Sequence, residues 1–187
     1  MDLDEPTLNE LRADVRRTSL GGCPMLGTAA VAWTLCGAAT YLLPAKTAAL
    51  VFLFQGTVTM PVGLWLLPRW LGLPPLPRAH PLTPLLVQCA GVQALMLPAV
   101  IAVYAAKPAL VPMAFAAIMG GHFLPYWWLQ RTKAYLFGAL ACALGPWVLT
   151  LFVGAENSFH FTGFFVGACL AMLALKVRSE ARRGALS

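Results

Sequence analysis

Charge is what this chain has least of. Only 11% of its 187 residues are charged, 59% are hydrophobic, and the mean hydropathy is +0.73. A soluble chain carries about 25% charged residues, so most of this one cannot be meeting water. Acids are scarcest: of seven, Glu156 is the only one between Asp14 and Glu180. The chain also lacks a GxSxG elbow, an HExxH pair, a P-loop and a phosphatase-like acid pair. Intramembrane serine or metal hydrolysis therefore has no residues to run on. Five cysteines, Cys23, Cys36, Cys89, Cys142 and Cys169, form no CxxC pair and all fall in apolar runs. They read as buried free thiols, and no metal or cofactor is expected. There is no internal repeat and no polar stretch long enough for a separate water-soluble domain.

What is there is a set of long apolar runs. Six are long enough to span a bilayer, at about Gly22–Leu43, Thr47–Leu67, Thr83–Ala105, Ala109–Leu129, Ala134–Gly154 and Ser158–Leu175, and none contains Asp, Glu, Lys or Arg. Each matches roughly 30 Å of hydrocarbon at about 1.5 Å of helical rise per residue. The expected fold is all-α: a polytopic integral membrane protein, a six-transmembrane-helix bundle over residues 22–175. A short amphipathic cytoplasmic segment over residues 1–21 precedes it and a basic cytoplasmic tail over 176–187 follows.

A net charge of +6 on a folded surface would suggest nucleic acid. Here the bases fall in short clusters between the runs, which points to a lipid bilayer as the partner and not to nucleic acid. Arg12, Arg16, Arg17, Arg69, Arg78, Arg131, Lys133, Lys176, Arg178, Arg182 and Arg183 share one side, leaving Lys46 and Lys107 for the other. An excess of Lys and Arg marks the cytoplasmic loops. Both termini are therefore expected in the cytoplasm, in a bacterial plasma (inner) membrane. The acidic start and the length of the first run argue against a signal peptide.

Thr7-Leu8-Asn9-Glu10 reads as a capping box, and Leu8, Leu11 and Val15 recur at helical spacing, so residues 7–20 are expected to form a helix lying on the inner leaflet. The first run carries Ala30, Thr34 and Ala38 four apart, a face that lets helices approach closely. Pro61 should bend the second run, and Gly72–Pro84, containing LPPLPRAHP, reads as a stiff extended connector. The sixth run holds Gly163-Phe-Phe-Val-Gly167, a pattern for close packing within the bundle or between copies of a homo-oligomer.

Two constellations could carry chemistry. His122, Tyr126 and Gln130 stand four apart and form one polar stripe on a helix. A titratable ring at membrane depth is costly and is a functional candidate by default; Gln88 or Gln93 is the structural alternative as its partner. The second is Glu156 with His160, four apart on a stripe continued by Gly163 and Gly167. Glu156 as proton donor and His160 as its partner would form an acid–base pair, with Trp147 and Phe161 shielding developing charge through their ring faces. The alternative is an outer loop in which Asn157 or Ser158 caps the last helix.

The stretch Gly120–Tyr135, GGHFLPYWWLQRTKAY, together with the basic amphipathic start, resembles a small family of uncharacterised bacterial six-span membrane proteins. That resemblance implies the six-span layout and carries no activity or catalytic residues with it. Substrate-binding subunits of vitamin transporters look similar in size and span number, and small membrane terpene cyclases are similar in combining aromatics with few acids. The functional expectation is thus an aromatic intramembrane pocket for a small apolar or amphiphilic molecule. One form is an enzyme acting on an isoprenoid or lipid-like substrate through Glu156 and His160. Another is a transporter or its substrate-binding subunit, with His122, Tyr126 and Gln55 as ligand contacts. The third is a structural membrane protein with no ligand.

Overall fold

The computed structural model describes residues 7–73 and 80–183, except the side chains of Ala155 and Glu156. Much of the proline-rich connector lies outside the described residues. Among the described residues there is no strand. A short helix, α1 (Leu8–Thr18), precedes six long apolar ones: α2 (Leu20–Leu42), α3 (Ala45–Trp70), α4 (Thr83–Ala106), α5 (Pro108–Gln130), α6 (Lys133–Gly154) and α7 (Asn157–Arg183). All six are long and apolar enough to cross a membrane.

The capping box forms. Thr7 N–H donates to Glu10 Oε2 at 2.7 Å, and Glu10 N–H donates to Thr7 Oγ1 at 3.4 Å. The apolar face of α1 does not lie free on lipid, however. Val15 is buried with Leu82 and Leu129, and Leu11 packs beside them. The helix is docked under its own bundle because that end offers apolar side chains at matching positions. It ends where Leu20, Gly21 and Gly22 take φ values of 48°, 65° and 82° in succession. Two glycines make this left-handed reversal cheap, and the chain turns directly into α2.

Helix packing is built on small residues. A Cβ added at Gly163 would lie 2.5 Å from Gly37 Cα and 2.8 Å from the Trp33 carbonyl oxygen, so α7 touches α2 backbone to backbone. One added at Gly167 would collide with Thr34 Oγ1. The glycine stripe thus packs within the chain, Gly163 against Trp33 and Gly37 and Gly167 against Ala30 and Thr34. Likewise, a Cβ at Gly120 would sit 2.5 Å from Ala143 N and 2.6 Å from Ala139 O, fixing α5 against α6. Between these seams Trp33 stacks on Phe115 at 5.8 Å and meets Phe52 at 5.4 Å, joining α2, α5 and α3.

Pro61 lies inside α3; a π-helical turn over Val62–Leu66 follows it, and the helix runs on to Trp70. Two features differ from the sequence expectation. Helix α7 does not stop at Leu175. It continues to Arg183, tied by Lys176–Glu180 at 3.3 Å and Arg16–Glu180 at 3.4 Å. The break between α6 and α7 is confined to Gly154, with φ 79° and ψ 160°.

Large apolar side chains cover the outside. Leu95 is 76% exposed and Phe152 81%, and many others along the six long helices are open in the same way. A surface this apolar is stable only against hydrocarbon.

Candidate functional site

At the basic end of the bundle an apolar cavity of about 320 Å³ opens among the helices. It exists because the Thr83–Leu95 half of α4 packs on α5 while the π-helical turn of α3 packs on α2. Leu86, Val87 and Ala90 of α4 face Gly63, Leu64 and Pro68 of α3 across the gap. Small-molecule sites are mostly apolar clefts of about 300–1,000 Å³ with a few placed polar groups, and this one fits that description.

The polar groups come from the α5 stripe. His122, Tyr126 and Gln130 all line the cavity, as four-residue spacing on one helix requires. His122 and Tyr126 rings meet edge-on at 5.0 Å. Tyr126 stacks on Tyr135 of α6 at 5.7 Å, and Tyr135 donates its hydroxyl proton to the Gly21 carbonyl at 2.6 Å. The same tyrosine explains the α1–α2 turn, since a Cβ at Gly22 would fall 2.7 Å from its hydroxyl.

Two polar atoms on this wall lack partners among the described residues. Gln130 is 2% exposed and its Oε1 accepts no hydrogen bond; His122 Nδ1 is also buried and unpaired. The His122 ring is hydrogen-bonded to the Cys89 backbone, and neither Gln88 nor Gln93 is its partner. A buried polar group left unsatisfied costs about 1–3 kcal/mol. Two on one cavity wall are a strong reason for that cavity to receive something that hydrogen-bonds.

The outer constellation is arranged differently. His160 does share a stripe with Gly163 and Gly167, and that stripe faces α2. There His160 Nδ1 lies 2.9 Å from Thr40 Oγ1, while the Thr40 hydroxyl donates to the Gly37 carbonyl at 2.6 Å. With the Thr40 hydroxyl donating to Gly37, its oxygen can accept from His160 when Nδ1 carries a proton. The ring also stacks on Tyr41 at 4.7 Å. Trp147 is 45% exposed and Phe161 44%, so they stand at the surface and enclose no aromatic pocket around His160. The Glu156 side chain lies outside the described residues. Asn157 bonds back to the Val153 carbonyl at 2.9 Å, bridging the break. Gln55, expected beside His122, is elsewhere on α3 and accepts from Thr59 Oγ1 at 3.0 Å.

The inner wall thus brings together His122 and Tyr126 and adds Gln130 and Tyr135, while Gln55, Trp147, Phe161 and His160 lie apart from it. Tyr135 is the residue of this wall that the sequence pattern does not single out. Its signal was a glycine pair at the start of one apolar run and a tyrosine just past the basic turn of another.

These features define a multi-pass helical membrane protein with an internal ligand-sized cavity. The chain belongs to a family of unknown function, DUF7010, whose family model matches residues 8–180. No curated protein and no solved structure matches it.

Proposed function

We propose that this protein binds a small apolar or amphiphilic molecule, isoprenoid or lipid-like, in the inner cavity, with His122, Tyr126 and Gln130 as its polar contacts. The observation that carries this reading is the cavity itself, a ligand-sized apolar space whose lining includes the polar stripe of His122, Tyr126 and Gln130, the last with a buried Oε1 unpaired among the described residues. A substrate-binding or transport role needs no more than this wall. Acid–base catalysis on the same scaffold falls to His122, because its side chain lines the cavity, whereas His160 packs against Thr40 and Tyr41 of α2.

We place the protein in a plasma membrane with both termini in the cytoplasm. The basic residues of α1, of the α5–α6 turn and of the end of α7 support this, since Arg16 reaches Glu180 and Arg131 reaches Asn9 at one end of the bundle.

Gln130→Leu separates a ligand contact from a structural residue. Removing an unpaired buried carbonyl should raise the thermal stability of ligand-free protein, by about 1 kcal/mol, and lower retention of a bound apolar molecule. A loss of stability with unchanged retention would make Gln130 part of the packing and remove the reading.

A further inference from the structure

Beside the apolar cavity lies a second space of about 630 Å³ with a different lining: Arg12, Arg16, Arg17 and Arg131, with Glu10 and Asp14. The charges there are unevenly matched. Four guanidiniums face two carboxylates: Glu10 keeps its charge, bonded to neutral Thr7 in the capping box, and Asp14 pairs with Arg17 at 3.0 Å and faces His80 at 3.5 Å. Arg16 is paired with Glu180. Arg12 and Arg131 have only neutral partners among the described residues. Arg12 donates to the Trp128 carbonyl and lies 4.3 Å over the Trp128 ring; Arg131 donates to Asn9 Oδ1 at 3.2 Å. Arg12 Nε is buried and has no partner among the described residues. Burial, and then the like charge of Arg131, hold the Arg12 guanidinium below its ordinary value. Two guanidiniums that repel each other on the lining of one space are matched to an anion with several acceptor oxygens.

One residue faces both spaces: Gln130 lines the apolar cavity and the arginine pocket. We infer that the two form one bipartite site for an anionic amphiphile, with its phosphate-like headgroup at Arg12 and Arg131 and its apolar chain in the cavity beside His122 and Tyr126. Gln130, which lines both spaces, stands at the junction. This rests on the cavity being a binding site, and it adds the class of ligand and the direction in which it lies. The phosphate-like group could belong to a lipid or to a free anion; the chain cavity commits the site to the lipid.

The test uses the full chain in phosphatidylcholine nanodiscs, titrated with dodecyl phosphate, dodecanol or inorganic phosphate, with binding read from the thermal shift. Dodecyl phosphate should bind about tenfold or more tightly than dodecanol, as one or two charge-assisted hydrogen bonds imply. The preference should fall to near parity in Arg131→Gln and in Arg12→Gln/Arg131→Gln. It should persist in Arg69→Gln/Arg183→Gln, which removes the same charge from exposed positions outside the pocket. Arg131 is itself exposed, so its single variant keeps the test valid should the Arg12 change impair folding. Equal binding of dodecanol and dodecyl phosphate overturns the headgroup site and leaves the cavity reading standing. Inorganic phosphate binding as tightly as dodecyl phosphate overturns the link between the two spaces. Loss of the preference in the control pair reduces it to bulk charge, and failure of every probe overturns both this inference and the cavity reading.

Discussion

Replacing Gly163 by alanine is the smallest change that should damage this fold. The new methyl would lie 2.5 Å from Gly37 Cα, 2.6 Å from Gly37 N and 2.8 Å from the Trp33 carbonyl oxygen. All three are backbone atoms of α2, so no side chain can swing aside, and the two helices must separate. Overpacking a tight contact costs about 1–3 kcal/mol, and with backbone on both sides the cost should reach about 2 kcal/mol. At about 2–4 °C per kcal/mol for a chain of this size, the melting point in detergent should fall by about 4–8 °C. Gly121→Ala is the matched control. A Cβ there meets nothing within 4 Å, and alanine is the better helix former by about 1 kcal/mol, so the melting point should hold or rise slightly. Fluorescence-detected size-exclusion after a temperature series reads both. An unchanged melting point for Gly163→Ala, or equal shifts for the two variants, would refute the backbone contact between α2 and α7.

Two further outcomes follow from the inner end of the bundle. Reporter fusions after Arg69, Lys133 and Arg183 should score cytoplasmic and one near Asn157 should score on the opposite face, whereas an external C-terminus would invert the proposed orientation. The Thr7 hydrogen bonds hold the Glu10 carboxyl below its ordinary value of 4.5. Its stabilisation of α1 is thus complete above the unfolded pKa and is lost as pH falls through the lower folded one. Amide exchange of α1, corrected for intrinsic rates, should lose protection across that acidic window in the wild type and not in Glu10→Gln; the same loss in both would assign it to another group.

How much of this was legible in the sequence depended on whether a pattern had contrast. The six spans stood out because charged residues stop at their edges. The His122–Tyr126–Gln130 stripe was visible because three polar residues recur every four positions on an apolar helix. The opposite wall was not visible: Leu86 and Ala90 are apolar residues in an apolar helix, so nothing marks which side of α4 faces inward. The end of α7 was obscured for the converse reason. Hydropathy drops at Lys176, yet Lys176 and Arg16 pair with Glu180 and carry the helix on to Arg183. His160 stands on the expected stripe, and its contact with Thr40 was not legible because that hydroxyl is 120 residues away. The docking of α1 needed Leu82 and Leu129 to be near Val15, which only the folded bundle provides.

The central claim is that the inner cavity holds a small apolar or amphiphilic molecule, and native mass spectrometry of gently extracted protein tests it most directly. The comparison is between the wild type and Ala90→Trp, whose indole would fill the space between α4 and the His122–Tyr126 wall. The wild type should carry a discrete small-molecule adduct that Ala90→Trp lacks, with both proteins eluting as the same folded species. An adduct retained in full by Ala90→Trp, or a wild type that carries none and takes up none from added dodecanol or dodecyl phosphate, would contradict it.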